Sequence, residues 1–156
     1  MDIKNSVKSD LQGYVKTEKG KKPQLPRGQY RLSSHSVYNL NYHIVFTPKR
    51  RAAVLVGDIA DELKRIFGEV AQMHSLEIEA LEIMPDHVHL FVSCPPSLAP
   101  HKIVKLFKGN SSPILRRMFP QLTRMATLWN HAYYVGSVGH VSDSVVRNYI
   151  ENQKGK

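Results

Sequence analysis

Residues 76–94 read LEIEALEIMPDHVHLFVSC. Two apolar-rich stretches are separated by Pro85-Asp86, a pair that interrupts an extended strand and suits a turn. Leu76–Met84 holds Ile78, Leu81, Ile83 and Met84, and His87–Cys94 carries Val88, Leu90 and Val92 at every second position. The pattern predicts two strands joined as a β-hairpin, ended by Pro95 and Pro96. Side chains alternate across a strand, so Val88, Leu90 and Val92 share one aliphatic face that belongs against helices. His87, His89 and Phe91 fall on the other, which becomes the open face of the sheet, where a substrate can lie.

The flanking sequence completes the fold. Upstream, Val37–Thr47 (VYNLNYHIVFT) alternates through Leu40, Tyr42, Ile44 and Phe46, which predicts a strand, closed by Pro48-Lys49-Arg50-Arg51. Between that strand and the hairpin, Ile59, Leu63, Ile66, Phe67 and Val70 form one apolar helical face within Gly57–His74. Downstream, Ala99–Met118 reads as a helix with Ile103, Phe107 and Ile114 inward, weakened by Gly109. Ala132–Val138 reads as a strand. Ser142–Gln153 reads as a last helix, with Ser142 suited to the N-cap and Asp143 in the first turn. The order is β-α-β-β-α-β-α. Its first six elements match the split βαβ, ferredoxin-like pattern: an α+β fold with an antiparallel sheet and two helices on one face. The seventh is an appended C-terminal helix.

At 156 residues the chain suits one domain with a sizeable core. Cys94 is the only cysteine, which excludes an internal disulfide and fits a reducing, cytoplasmic setting. No apolar run approaches the roughly 18 residues that span a bilayer, so no membrane partner is expected. Nor does the N-terminus resemble a signal peptide. The net charge is +9, from 22 Lys and Arg against 13 Asp and Glu, and it implies an anionic partner. Residues 1–36 carry +5 and read as a basic, flexible arm; residues 37–156 form the folded domain. Within the domain, residues 100–125 hold Lys102, Lys105, Lys108, Arg116, Arg117 and Arg124 with no acid, and Ser111 and Ser112 add hydrogen-bonding groups. Such a block suits a phosphate backbone, which needs several cations along a track; an ordinary solvated face is the alternative. Lys49, Arg50 and Arg51 would join it if DNA runs past the end of the first strand. Trp129, Tyr133 and Tyr134 could stack bases or pack in the core.

Two further groups bear on chemistry. His87 and His89 lie on one strand face about 6.7 Å apart along the backbone, which allows two imidazoles to chelate one divalent cation. Two polar residues facing solvent would show the same spacing. Tyr149 and Gln153, four apart, share a face of the last helix, beside a stripe of Val146 and Ile150 that would dock it. A helical Tyr and Gln with no other role would be packing and surface residues.

Four segments together resemble one family: NYHIVFTPKRR (41–51), MPDHVHLFV (84–92), LWNHAYYVGSVG (128–139) and NYIENQ (148–153). They are similar, in order and spacing, to the signatures of the TnpA-type HUH single-strand transposases of the insertion-sequence 200/605 group, over roughly residues 37–153. The resemblance implies that His87 and His89 are the histidine pair, Tyr149 the nucleophile and Gln153 the third metal ligand, holding Mg²⁺ or Mn²⁺. It implies cleavage and rejoining of single-stranded DNA with hairpin ends through a 5′-phosphotyrosine. It also implies a homodimer that shares its active sites between subunits. A domesticated relative acting on genomic palindromic repeats would use the same chemistry. A non-catalytic hairpin-binding protein would need the basic block but not the four site residues together.

Overall fold

The computed structural model describes residues 31–32 and 34–138. The expected C-terminal helix, with Tyr149 and Gln153, lies outside the described residues. The chain divides into two compact units, residues 1–37 and 38–156. Short strands at Arg31–Leu32 and Val37–Tyr38 precede the main sheet.

Among its described residues, the second unit is built on four strands and two helices. They are β1 (Asn41–Pro48), α1 (Gly57–Met73), β2 (Glu77–Met84), β3 (His87–Ser93), α2 (Pro100–Met118) and β4 (Trp129–Val138). The sheet order is β2-β3-β1-β4, and every pair is antiparallel. This is the order of the ferredoxin-like fold: β3 inserts between β1 and β2, the two strands that α1 connects. The expected α+β architecture is therefore observed. The first strand begins at Asn41 rather than Val37. The fourth begins at Trp129, three residues before the expected start, because Trp129 pairs with Pro48 beyond an irregularity after Phe46.

Strand parity sets the two faces. Ile44 pairs with Leu90, Phe46 with Val88 and Tyr42 with Val92, and this set faces the helices. Ile44, Phe46, Val88, Leu90 and Val92 are all fully buried. Phe46 tilts against Phe67 of α1 at 6.1 Å between ring centroids, and Phe67 meets Phe107 of α2 edge-on at 4.9 Å. One apolar cluster thus joins the sheet and both helices. Burial of these side chains contributes about 1.5–3 kcal/mol apiece, which makes parity the strongest constraint on register.

Both helices follow their apolar periods. In α1, Ile59, Leu63, Ile66, Phe67 and Val70 are buried, as expected, and Ala71 joins them. The helix begins at Gly57, whose φ of 54° costs a glycine little, and Asp58 stands favourably in the first turn. In α2, Ile103, Val104, Phe107, Ser111 and Leu115 face inward, while Ile114 is only partly buried.

Two substitutions test this packing. Phe107→Ala removes the ring that links the helices and is expected to lower unfolding free energy by about 3–5 kcal/mol in chemical denaturation. Gly68 lies in an exposed helical position where an added Cβ meets nothing within 4 Å. Gly68→Ala is therefore expected to raise stability by about 0.5–1 kcal/mol.

Candidate active site

The open face carries the residues on the other parity. Val45 pairs with His89, His43 with Phe91 and Tyr134 with Val45; on the far side of β3, Glu82 pairs with His89 and Met84 with His87. The expectation that His87 and His89 share the face opposite the aliphatic one is met. Their ring centroids are 5.0 Å apart, and the rings are nearly perpendicular.

Each histidine is held through its Nδ1. His87 Nδ1 donates to Asp86 Oδ1 at 2.7 Å, and Asp86 also accepts from Arg51 at 3.0 Å. The hydrogen bond from His87 holds the Asp86 carboxyl below the usual carboxylate range, and the Arg51 charge assists. His89 Nδ1 lies 3.1 Å from His43 Nε2. His43 is itself clamped: its ring stacks on Phe91 at 4.4 Å and 2°, and Tyr134 meets it edge-on at 5.8 Å. Burial pushes His43 down to about 4, and the charge of His89 adds to the effect. Burial, then the charge of His87, lowers His89, while Glu82 opposes them. His43 and His89 are therefore neutral imidazoles at neutral pH.

Both contacts run through Nδ1, so Nε2 is the ring nitrogen of each histidine that lies outside them. Imidazoles tethered through one ring nitrogen suit a divalent cation at the other. Among the described residues, no three His, Cys, Asp or Glu side chains gather into a metal cage. The histidine pair thus fits part of a coordination shell, with the remainder to come from elsewhere.

Neither His43 nor Asp86 is among the site residues expected from the sequence. Asp86 could have been suspected as a carboxylate next to His87 in the turn. His43 depends on strand register, which the sequence does not display.

The expected DNA-contacting residues are spread over two regions. Lys49, Arg50 and Arg51 form a short 3₁₀ turn after β1; Arg50 and Arg51 are exposed and take left-handed φ angles of 56° and 52°. This turn carries Arg51 to Asp86. On α2, Lys102, Lys105 and Arg117 are exposed, and Ser112 is half-buried. Arg116 donates to the Met125 and Ala126 carbonyls. Lys108 is half-buried between the rings of Phe46 and Tyr133; it donates to the Asn130 and Ala132 carbonyls of the edge strand β4. Burial lowers its affinity for a proton. Lys105, Lys108, Ser112, His101, Asn130 and Tyr133 line a cavity of about 350 Å³ between α2 and β4.

Ser111 corrects the expectation that it meets DNA. It is fully buried: its Oγ donates to Phe107 O at 2.6 Å and accepts from Trp129 Nε1 at 3.0 Å. Ser111 stands four residues from both Phe107 and Leu115, which fixes it to the inward face of α2. Trp129 is likewise a core residue, edge-on to Phe46 at 4.9 Å, whereas Tyr133 and Tyr134 remain exposed.

The profile of the IS200-like transposases matches residues 36–153. The chain belongs to this family. It is 41% identical over 126 residues to the ISDra2 transposase TnpA of Deinococcus radiodurans, covering 77% of this chain and 88% of that protein. It is 29% identical over 129 residues to the IS200 transposase of Salmonella typhimurium, covering 81% and 84%. A crystal structure of a Deinococcus radiodurans R1 protein described as a transposase superposes with a TM-score of 0.65 at 37% identity, over 79% of this chain and 97% of that one. A REP-associated tyrosine transposase bound to a REP hairpin shares the fold, with a TM-score of 0.53 at 14% identity, over 77% and 69%. The family's DNA transposase identity thus applies to a chain whose open sheet face carries the histidine pair. No helix among the described residues is long and apolar enough to cross a membrane.

Two outcomes follow from this geometry. Unfolded imidazoles titrate near 6.5, whereas folded His43 resists protonation until about 4. The unfolded state binds more protons across that window, so the metal-free protein loses stability as pH falls from 6.5 towards 4. Denaturation of His43→Phe over the same window is expected to show a shallower slope, and equal slopes would contradict the assignment. Ser111→Ala strands the Trp129 N–H and is expected to cost about 1–3 kcal/mol of stability, with no loss of affinity for single-stranded DNA.

Proposed function

We propose that this protein is a metal-dependent transposase that cleaves and rejoins single-stranded DNA at insertion-sequence ends through a 5′-phosphotyrosine on Tyr149. The observation that carries the reading is the pair His87 and His89 on the open sheet face, each with its Nδ1 in a hydrogen-bond contact. Family membership supports it, as does the motif NYIENQ, which supplies Tyr149 and Gln153.

His87, His89 and the Gln153 amide oxygen would hold Mg²⁺ or Mn²⁺. The bound ion would supply Lewis-acid polarisation of the scissile phosphate. Tyr149 attacks phosphorus through its phenolic oxygen and loses its proton. The bond to the 3′ oxygen breaks, and that oxygen leaves as a free 3′-hydroxyl after taking up a proton. The phosphate stays on the 5′ end as a tyrosine ester. A 3′-hydroxyl attacking that ester rejoins DNA and releases Tyr149. Bond energy is conserved in the ester, so the cycle needs no nucleotide cofactor.

Lys102, Lys105 and Arg117 on α2, with Ser112 and Lys108 at the neighbouring cavity, offer a cationic track for the DNA backbone, and Lys49, Arg50, Arg51 and Arg116 extend it. The substrate is single-stranded DNA with hairpin ends, in keeping with the hairpin on the REP-associated relative. The working unit is a homodimer that shares its active sites.

Incubation of the full chain with a hairpin-bearing oligonucleotide and Mn²⁺ is expected to give a covalent adduct that survives denaturing electrophoresis. Tyr149→Phe should abolish the adduct, with residual yield at least 1,000-fold down (about 4 kcal/mol of transition-state stabilisation). An adduct of undiminished yield in Tyr149→Phe would exclude Tyr149 as the nucleophile.

A further inference from the structure

We infer that His43 is a positioning residue: its Nε2 accepts a hydrogen bond from His89 Nδ1–H and so fixes His89 in the tautomer that leaves Nε2 bare for a metal. The inference rests on the proposed metal site and extends it to a residue of β1.

The geometry allows two proton arrangements across the 3.1 Å contact. If His43 Nε2 carries the proton and donates, a neutral His89 must hold its own proton on Nε2, which blocks that atom as a ligand. If His89 Nδ1 donates, His89 Nε2 has a free lone pair. Only the second arrangement makes His89 a ligand, and it requires His43 Nε2 to be an acceptor.

The surroundings fix the ring that must accept. His43 lies parallel to Phe91, its cross-strand partner on the open face, and Tyr134 from β4 meets it edge-on. His43 and His89 sit diagonally across the β1–β3 pair, within reach of ring side chains. His89 is 9% exposed, so the contact is shielded from water that could compete for Nδ1. On the other side of the pair, Asp86 accepts from His87 Nδ1. Both histidines are thus oriented by an acceptor at Nδ1, a carboxylate for one and an imidazole for the other, as metal-bound histidines commonly are.

Two readouts test the inference on the full-length chain. Long-range ¹H–¹⁵N correlation spectra of the metal-free protein at neutral pH report the His89 tautomer without involving activity. The wild type is expected to show His89 protonated at Nδ1. His43→Phe keeps the stack on Phe91 but removes the acceptor, and is expected to populate the Nε2–H form. Calorimetric titration with Mn²⁺ is expected to show affinity reduced about 10–100-fold in His43→Phe. His43→Gln, whose amide oxygen can accept, should recover part of it. An unchanged tautomer together with unchanged Mn²⁺ affinity in His43→Phe would overturn the inference. So would an equal loss in His43→Gln and His43→Phe with the tautomer unmoved, which would mark a purely packing role. If the folded wild type itself takes up no Mn²⁺, the metal-site reading fails and the inference falls with it. The two failures are distinct, because the first leaves wild-type binding intact.

Discussion

The two-residue period of β3 is the constraint on which the rest depends. Val88, Leu90 and Val92 are fully buried against the helices, and that burial dictates where His87, His89 and Phe91 must point. A one-residue slip would put histidines in the core and valines in water, at a cost of several kcal/mol. The core therefore specifies the site: the hydrophobic force that seats the sheet also sets two imidazoles side by side on its open face. The neighbouring strands obey the same parity. β1 contributes His43 to the open face, and β4 contributes Tyr134.

Around that pair the structure is layered. Asp86 and Arg51 stand behind His87, while His43, Phe91 and Tyr134 stand behind His89. Arg51 reaches Asp86 from a turn in which it and Arg50 both take left-handed backbone angles. Such angles cost roughly 1–2 kcal/mol per residue. The turn accepts this while the Lys49 N–H bonds to Leu128 O, and it delivers a cation to the carboxylate that orients His87. The Arg51–Asp86 pair is largely exposed, so its value lies in orientation more than in stability.

Much of this was legible in the sequence. The alternation in residues 76–94 gave the hairpin and both faces, and the apolar spacing of α1 marked its buried side. The misreadings share a cause: each depends on a relation across elements or on helical phase. The start of β4 was hidden because Trp129 pairs with Pro48 past an irregularity, which breaks the local alternation. Ser111 was grouped with its charged neighbours by composition, although its four-residue spacing from Phe107 and Leu115 places it inward with the Trp129 N–H as partner. His43 has no local mark at all, because its partner His89 lies 46 residues away. The four-residue spacing of Tyr149 and Gln153 put them on one face of the expected last helix, and the resemblance supplied their roles; both lie outside the described residues.

The central claim is that His87 and His89 together hold a divalent cation on the open face. Electron spin-echo spectroscopy of Mn²⁺ bound to the full chain tests it most directly, because it detects imidazole nitrogens coordinated to the metal. Two such couplings are predicted in the wild type, with one remaining in His87→Ala and one in His89→Ala. Mn²⁺ bound with no imidazole coupling, or with couplings unchanged in both variants, would contradict the account.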